Sequence, residues 1–105
     1  MTLMFPKPKK PARGTSAAKD HMDLVAQLPC ACCGASPVQV HHCIHGRYSQ
    51  SRASDFDTIP LCPWHHDMLH LRTAAWKAAY GLDVDFLPRI ASAVARLRAN
   101  TIGGR

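Results

Sequence analysis

The sequence predicts a small α+β domain built around a metal site. Two short segments with strand character, residues 37–40 and 57–61, lie between segments in which apolar residues recur at helical spacing. Each strand segment leads directly into histidines and cysteines, and these two places hold six of the seven histidines in the chain. A chain of 105 residues buries only a modest core, so a bound metal would add useful stability.

The first 18 residues differ in composition from the rest, and we expect a flexible basic arm over residues 1–18 and the folded domain over residues 19–105. Prolines alternate there with basic residues, and few apolar residues are present to fold around. The basic residues are Lys7, Lys9, Lys10 and Arg13. They predict a salt-sensitive contact with nucleic-acid phosphates; the alternative is a solvated leader that only aids solubility.

Charge and cysteine content limit the class of protein. Thirteen Lys and Arg against seven Asp and Glu give a net charge of +6, which attracts polyanions and makes nucleic acid the expected partner. No apolar run of signal-peptide or membrane-span length is found, so we expect a cytoplasmic protein without a membrane partner. In that compartment five cysteines favour metal ligands over disulfides.

The helical segments are predicted from apolar spacing and from residues that start and stop helices. We expect a first helix from Lys19, capped by Asp20 and stopped by Pro29, and another that Pro63 opens. A third helix contains Trp76 and ends at Gly81. An apolar stripe then predicts a C-terminal helix, through residues Phe86, Leu87, Ile90, Ala91, Val94 and Leu97.

A Cys–Cys pair and a Cys–His pair of matching spacing predict a structural zinc site. Cys30 and Cys33 are closed by a glycine in a tight turn, and Cys62 and His65 repeat the two-residue gap. Together the four would form a closed tetrahedral site that staples the two segments. Cys32 could instead replace Cys30 or Cys33 as a ligand.

Four further histidines predict a second centre. His66 and His70 are four residues apart on one helical face, as two ligands of a single ion must be. His41 and His42 end the first strand, where neighbouring side chains point to opposite sides, so we expect one to face an ion and the other a water or second group. The polar loop after them carries Arg47 and Arg52, which either clamp phosphate or are exposed solubilising charges.

These motifs resemble those of the HNH, or ββα-metal, endonucleases. The shared features are a Cys-x-x-Cys-Gly knuckle, a strand ending in His-His, Leu-Cys-x-x-His-His, and a helix with His-x-x-x-His. Over residues 21–97 the chain is more narrowly similar to the phage and prophage Ref family of recombination-enhancement nucleases, which act with RecA filaments. The resemblance implies a small ββα-metal core with a zinc knuckle, flanked by an N-terminal helix and by C-terminal helices.

The resemblance also implies a role for each site residue. His41, His66 and His70 would bind one divalent ion, Mg²⁺ or another such as Mn²⁺ or Zn²⁺. His42 would be the general base and Asp57 the residue that orients it, although many HNH proteins have asparagine at that position. The structural Zn²⁺ would be held by Cys30, Cys33, Cys62 and His65.

The implied function is metal-dependent hydrolysis of DNA phosphodiester bonds in a bacterial host cell, with a RecA-type filament as a possible partner. Two alternatives stay open. The histidines could complete a purely structural site in a non-catalytic, zinc-dependent DNA-binding module. Alternatively, the protein could be an adaptor that docks on a recombinase.

Overall fold

A computed structural model describes residues 14–45 and 54–103, with side chains described as far as residue 100. The elements in chain order are helix α1 (Ser16–Val25), strands β1 (Gln39–His42) and β2 (Thr58–Leu61), helices α2 (Pro63–Leu71) and α3 (Thr73–Tyr80), a 3₁₀ turn (Asp83–Phe86) and helix α4 (Leu87–Gly103). The fold is a small α+β structure, as expected from the sequence.

Helix α1 begins earlier than predicted. Thr15 caps it by accepting a hydrogen bond from the backbone N–H of Ala18 at 3.1 Å, and Asp20 lies inside the helix. Ala18, which we had assigned to the arm, is fully buried. The helix ends at Val25, four residues before Pro29. Threonine is a good N-cap, and burial of Ala18 favours extending the helix over leaving this segment free.

The two strands pair antiparallel and place the histidine doublet beside β2. His41 lies opposite Ile59 and His42 opposite Thr58. Helix α2 starts two residues after β2 and packs on both strands, with Pro63 in its first turn as predicted. Successive strand residues face opposite sides, so His41 and His42 are directed to different sides of the sheet.

The C-terminal helices close the core over the sheet. Helix α3 packs on α2, while α4 packs on α1 and β2. Trp76 is fully buried in the core, and Gly81 ends α3, as predicted, with a positive φ of 82°. Ile90 and Val94 are the buried residues of the predicted α4 stripe, whereas Ala91 is exposed. The core thus lies between the sheet and the helices, and Val25 of α1 and Leu69 of α2 are buried in it as well.

Candidate metal centres

The structure brings Cys30, Cys33, Cys62 and His65 together in one group, here called the Cys/His cluster. Cys33 Sγ lies 3.8 Å from Cys62 Sγ, and His65 Nδ1 lies 3.8 Å from Cys30 Sγ and 3.2 Å from Cys62 Sγ. Around a tetrahedral zinc, two sulfurs are about 3.8 Å apart and a sulfur and a nitrogen about 3.6 Å. The donor set and its spacing therefore fit a zinc ion.

Three local features position these ligands. Gly34, with a φ of 76°, turns the backbone after the first cysteine pair, and its N–H donates to the carbonyl of Cys30 at 2.8 Å. The N–H of Ala31 donates to the carbonyl of Pro60 at 2.9 Å, which fixes the knuckle to β2. Cys62 is the N-cap residue of α2, so His65 lies one helical turn away on the side facing the knuckle.

The cysteines differ in their surroundings and therefore in the pKa of their thiols. Burial acts to raise the pKa of the Cys30 thiol, but backbone N–H groups of Cys62, Cys33 and Cys32 bring it below its ordinary value. The pKa of Cys32 is raised to about 12 by burial and by the neighbouring thiols. Cys32 packs against the hydrophobic core and is not one of the four residues whose ligand atoms converge, so it lies outside the cluster; all five cysteines are free of disulfides.

A residue that the sequence did not indicate supports the imidazole ligand. The Nε2 atom of His65 lies 2.9 Å from the hydroxyl of Tyr80, which is on α3. With Nδ1 directed at the sulfurs, Nε2–H donates to this hydroxyl and holds the ring in place. A tyrosine at helical spacing from Trp76 gives only a core signal in the sequence.

His41, His66 and His70 form a second group, here called the three-His cluster, whose ligand atoms lie within 4.8 Å of one another. The Nε2 atoms of His66 and His70 are 3.2 Å apart, and two imidazole nitrogens on one tetrahedral ion are about 3.3 Å apart. His41 is buried, His66 is half-buried and His70 is exposed. The cluster can thus hold an ion at a position open on one side.

Hydrogen bonds set which nitrogen each ring presents. His66 Nδ1 lies 2.6 Å from the side-chain oxygen of Gln39, so Nδ1–H donates there and Nε2 keeps its lone pair. Burial and the neighbouring histidines lower the pKa of both His66 and His70, which keeps these rings neutral near pH 7. Neutral imidazole is the form that binds metal.

The third ring, that of His41, is held by a residue from the 3₁₀ turn. Its Nε2 lies 2.8 Å from Oδ2 of Asp83, a fully buried carboxylate. The N–H groups of Ile44 and His45 also donate to this carboxylate, at 2.7 and 3.1 Å. Burial acts to raise the pKa of Asp83, but these hydrogen bonds bring it below its ordinary value.

Asp55, and not Asp57, is the partner of His42. The Nε2 atom of His42 lies 2.8 Å from Oδ1 of Asp55, and Oδ2 accepts from the N–H of Gly14 at 2.7 Å. Our assignment of Asp57 as the orienting residue was therefore wrong. Asp57 is exposed, and its carbonyl accepts from the N–H of Cys43 at 2.9 Å. This bond continues the strand pairing, in which His42 lies opposite Thr58, so the neighbouring side chain of Asp57 belongs to the other face of the sheet.

The sequence offered little to identify Asp55 and Asp83. Asp55 lies in the turn before β2, where no periodicity distinguishes one aspartate from the next. Asp83 stands among apolar residues after a helix-ending glycine, and a charged residue in such a place is a weak signal of a buried partner. His45, whose role was open, accepts from the N–H of Asp83 through Nδ1 at 2.9 Å.

The predicted nucleic-acid contacts Lys7, Lys9, Lys10, Arg13, Arg47 and Arg52 lie outside the described residues. Within residues 14–45 and 54–103, no helix has both the length and the apolar character needed to cross a bilayer.

Comparisons with known proteins assign a family. The chain is similar to the uncharacterized protein YdfU of Escherichia coli (strain K12), with 35% identity over 83 residues. The match covers 77% of this chain and 24% of the relative, so the chain spans about a quarter of that protein's length. No solved structure matches it significantly. The model of the family "Protein of unknown function (DUF968)" matches residues 3–96. The chain therefore belongs to the DUF968 family.

Proposed function

We propose that this protein is a metal-dependent DNA endonuclease of the HNH type. The observation that carries the proposal is the convergence of His41, His66 and His70, with a hydrogen-bonded His42–Asp55 pair at the next position of the same strand. These groups come from one strand end, one helix and one turn. The four histidines are those that the resemblance implies, whereas Asp55 takes the place that it gave to Asp57. The two metal clusters then have different tasks.

The ligands of the two clusters differ in how far they are buried, and this difference indicates which task each cluster has. In the Cys/His cluster, Cys30, Cys62 and His65 are buried, and all four positions of a tetrahedral ion are filled by protein. Such a closed site stabilises the fold. The three-His cluster supplies only three ligands from the described residues and includes the exposed His70. An open coordination position next to solvent is what a catalytic site requires.

His42 is suited to accept a proton. Its ring is 34% exposed, and an ionised Asp55 can only accept a hydrogen bond, so Nε2 of His42 carries the hydrogen. The lone pair is then on Nδ1, which is the ring atom that can accept a proton. We propose that Nδ1 takes the proton from the water that attacks the phosphorus atom, while Asp55 stabilises the imidazolium that forms.

The ligands suit a phosphodiester substrate. A bound divalent ion, such as Mg²⁺, Mn²⁺ or Zn²⁺, supplies positive charge that stabilises the phosphate and the leaving oxygen in the transition state. Three neutral imidazoles leave that charge undiminished, whereas carboxylate ligands would offset part of it. The net charge of +6 favours a polyanionic substrate. A recombinase filament as partner rests on the sequence resemblance alone.

The test is cleavage of supercoiled plasmid and of single-stranded DNA by zinc-loaded protein with added Mg²⁺ or Mn²⁺. We expect His42→Ala to lower the cleavage rate by about 10²–10⁴-fold, the usual share of a general base. The matched control is His21→Ala, because His21 is the one histidine outside both clusters and outside the His42–Asp55 and His45–Asp83 hydrogen bonds. It should cut at nearly the wild-type rate.

Three outcomes would contradict the proposal or part of it. If wild-type protein binds DNA but does not cut it with any of these ions, a zinc-dependent binding module is the better description. If binding to recombinase filaments is the only activity found, the adaptor alternative applies. Cleavage by His42→Ala at the wild-type rate would refute the assignment of the base.

A further inference from the structure

Asp83 is a buried charge that the proposed chemistry does not itself require. It is fully buried, lies 42 residues along the chain from His41, and comes from the 3₁₀ turn between α3 and α4. Burying an ionised carboxylate costs free energy unless hydrogen bonds compensate for the lost water. The three donors that meet Asp83 belong to His41, Ile44 and His45, all at or just after the end of β1.

We infer that Asp83 is a positioning residue of the three-His cluster: it fixes His41 so that Nδ1 is the atom that binds the ion. An ionised carboxylate accepts only, so the hydrogen in the 2.8 Å contact lies on His41 Nε2. A neutral imidazole then has its lone pair on Nδ1. The carboxylate also increases the basicity of that nitrogen, as carboxylate partners of metal-bound histidines commonly do.

The turn that carries Asp83 is built to deliver it to this place. Gly81 ends α3 with a positive φ, and the side chain of Asp85 accepts a hydrogen bond from the N–H of Leu82 at 3.1 Å. The N–H of Asp83 itself donates to His45 Nδ1. These hydrogen bonds hold the turn in place. The three-His cluster therefore depends on Asp83, a residue outside the strand–strand–helix motif that supplies its ligands.

The inference rests on the three-His cluster binding an ion, and not on cleavage of DNA. The main test is therefore titration of protein whose Cys/His cluster is already filled with zinc, using Co²⁺ or Zn²⁺. We expect Asp83→Asn to weaken binding at the second site by about 10–100-fold, the usual effect of removing such a partner. Asp85→Asn is the matched control, because Asp85 lies in the same turn and is exposed, and the side-chain oxygen of asparagine can still accept the hydrogen bond from the N–H of Leu82 that holds the turn. It should bind as the wild type does.

A second measurement uses the wild-type protein, so its result does not depend on whether a variant folds. Long-range ¹H–¹⁵N correlation spectra report which nitrogen of each imidazole carries hydrogen or metal. In the zinc-loaded protein, His41 should show a protonated Nε2 and a metal-bound Nδ1. Coordination through Nε2, or binding by Asp83→Asn within about twofold of the wild type, would overturn the inference.

The two proposals can fail separately. A wild-type protein that binds an ion at each cluster and shows the expected His41 spectrum, but does not cut DNA, would refute the endonuclease and leave the role of Asp83 intact. A protein that binds one zinc through its cysteines and no second ion would overturn both.

Discussion

Exchanging Cys33 for serine, beside the same change at Cys32, is the sharpest test of the Cys/His cluster. The two cysteines are neighbours in one turn, but only Cys33 is in the cluster, with its sulfur 3.8 Å from that of Cys62. Cys32 is half-buried, packs against the core and has a pKa raised to about 12. Comparing the two variants therefore separates the effect of losing a metal ligand from the effect of losing a packed thiol.

The magnitude follows from the number of ligands. A structural zinc contributes about 10–16 kcal/mol of apparent binding free energy in small zinc-dependent folds, or about 2.5–4 kcal/mol for each of four ligands. Cys33 is exposed, so water can take its place, and we expect a loss nearer to hundredfold in zinc affinity. At saturating zinc, that change lowers the free energy of unfolding by about 2.7 kcal/mol. Cys32→Ser should cost on the order of 1 kcal/mol or less.

The assay is zinc competition against a chelator of known affinity, followed by urea unfolding of the zinc-loaded proteins. Cys33→Ser should lose zinc to the chelator far more readily than Cys32→Ser, and its unfolding midpoint should fall further. Equal behaviour of the two variants would refute the assignment of ligands. A larger loss for Cys32→Ser would show that the turn presents the other sulfur.

Three further predictions follow from the described contacts. Asp55→Asn should slow DNA cleavage by about 10–100-fold, whereas Asp57→Asn should leave the rate within about twofold; the reverse order would restore our first assignment. Tyr80→Phe removes the hydrogen-bond partner of the imidazole ligand, so competition with a chelator should show weaker zinc binding, by about tenfold. His66 and His70 have pKa values below the ordinary 6.5, mainly because of burial, so the unfolded chain gains protons first as the pH falls. Urea unfolding of protein with zinc in the Cys/His cluster and no ion in the three-His cluster should therefore show stability falling from about pH 7 to about pH 5, and a flat profile would contradict this.

Spacing along the chain was enough to predict the pairs of ligands, whereas His41 was assigned to the second group through the family resemblance. The two-residue gap between Cys30 and Cys33 and the four-residue gap between His66 and His70 each follow from local geometry, a tight turn and one helical turn. The same holds for the start of α2 at Pro63, since proline is favoured in a first turn. Such features depend on residues that are near neighbours in sequence, so the sequence determines them by itself.

The residues that hold those ligands in place were decided only by the tertiary structure. Asp83 reaches His41 across 42 residues, and Tyr80 reaches His65 across 15. Asp55 is the partner of His42 and Asp57 is not, because the pairing of β1 with β2 fixes which turn residue faces that ring. Hydrogen bonds between distant segments form only when the core has packed them together. No local pattern in the sequence distinguishes these residues. Their positions in the fold determine how the ligands of the Cys/His cluster and of the three-His cluster are oriented.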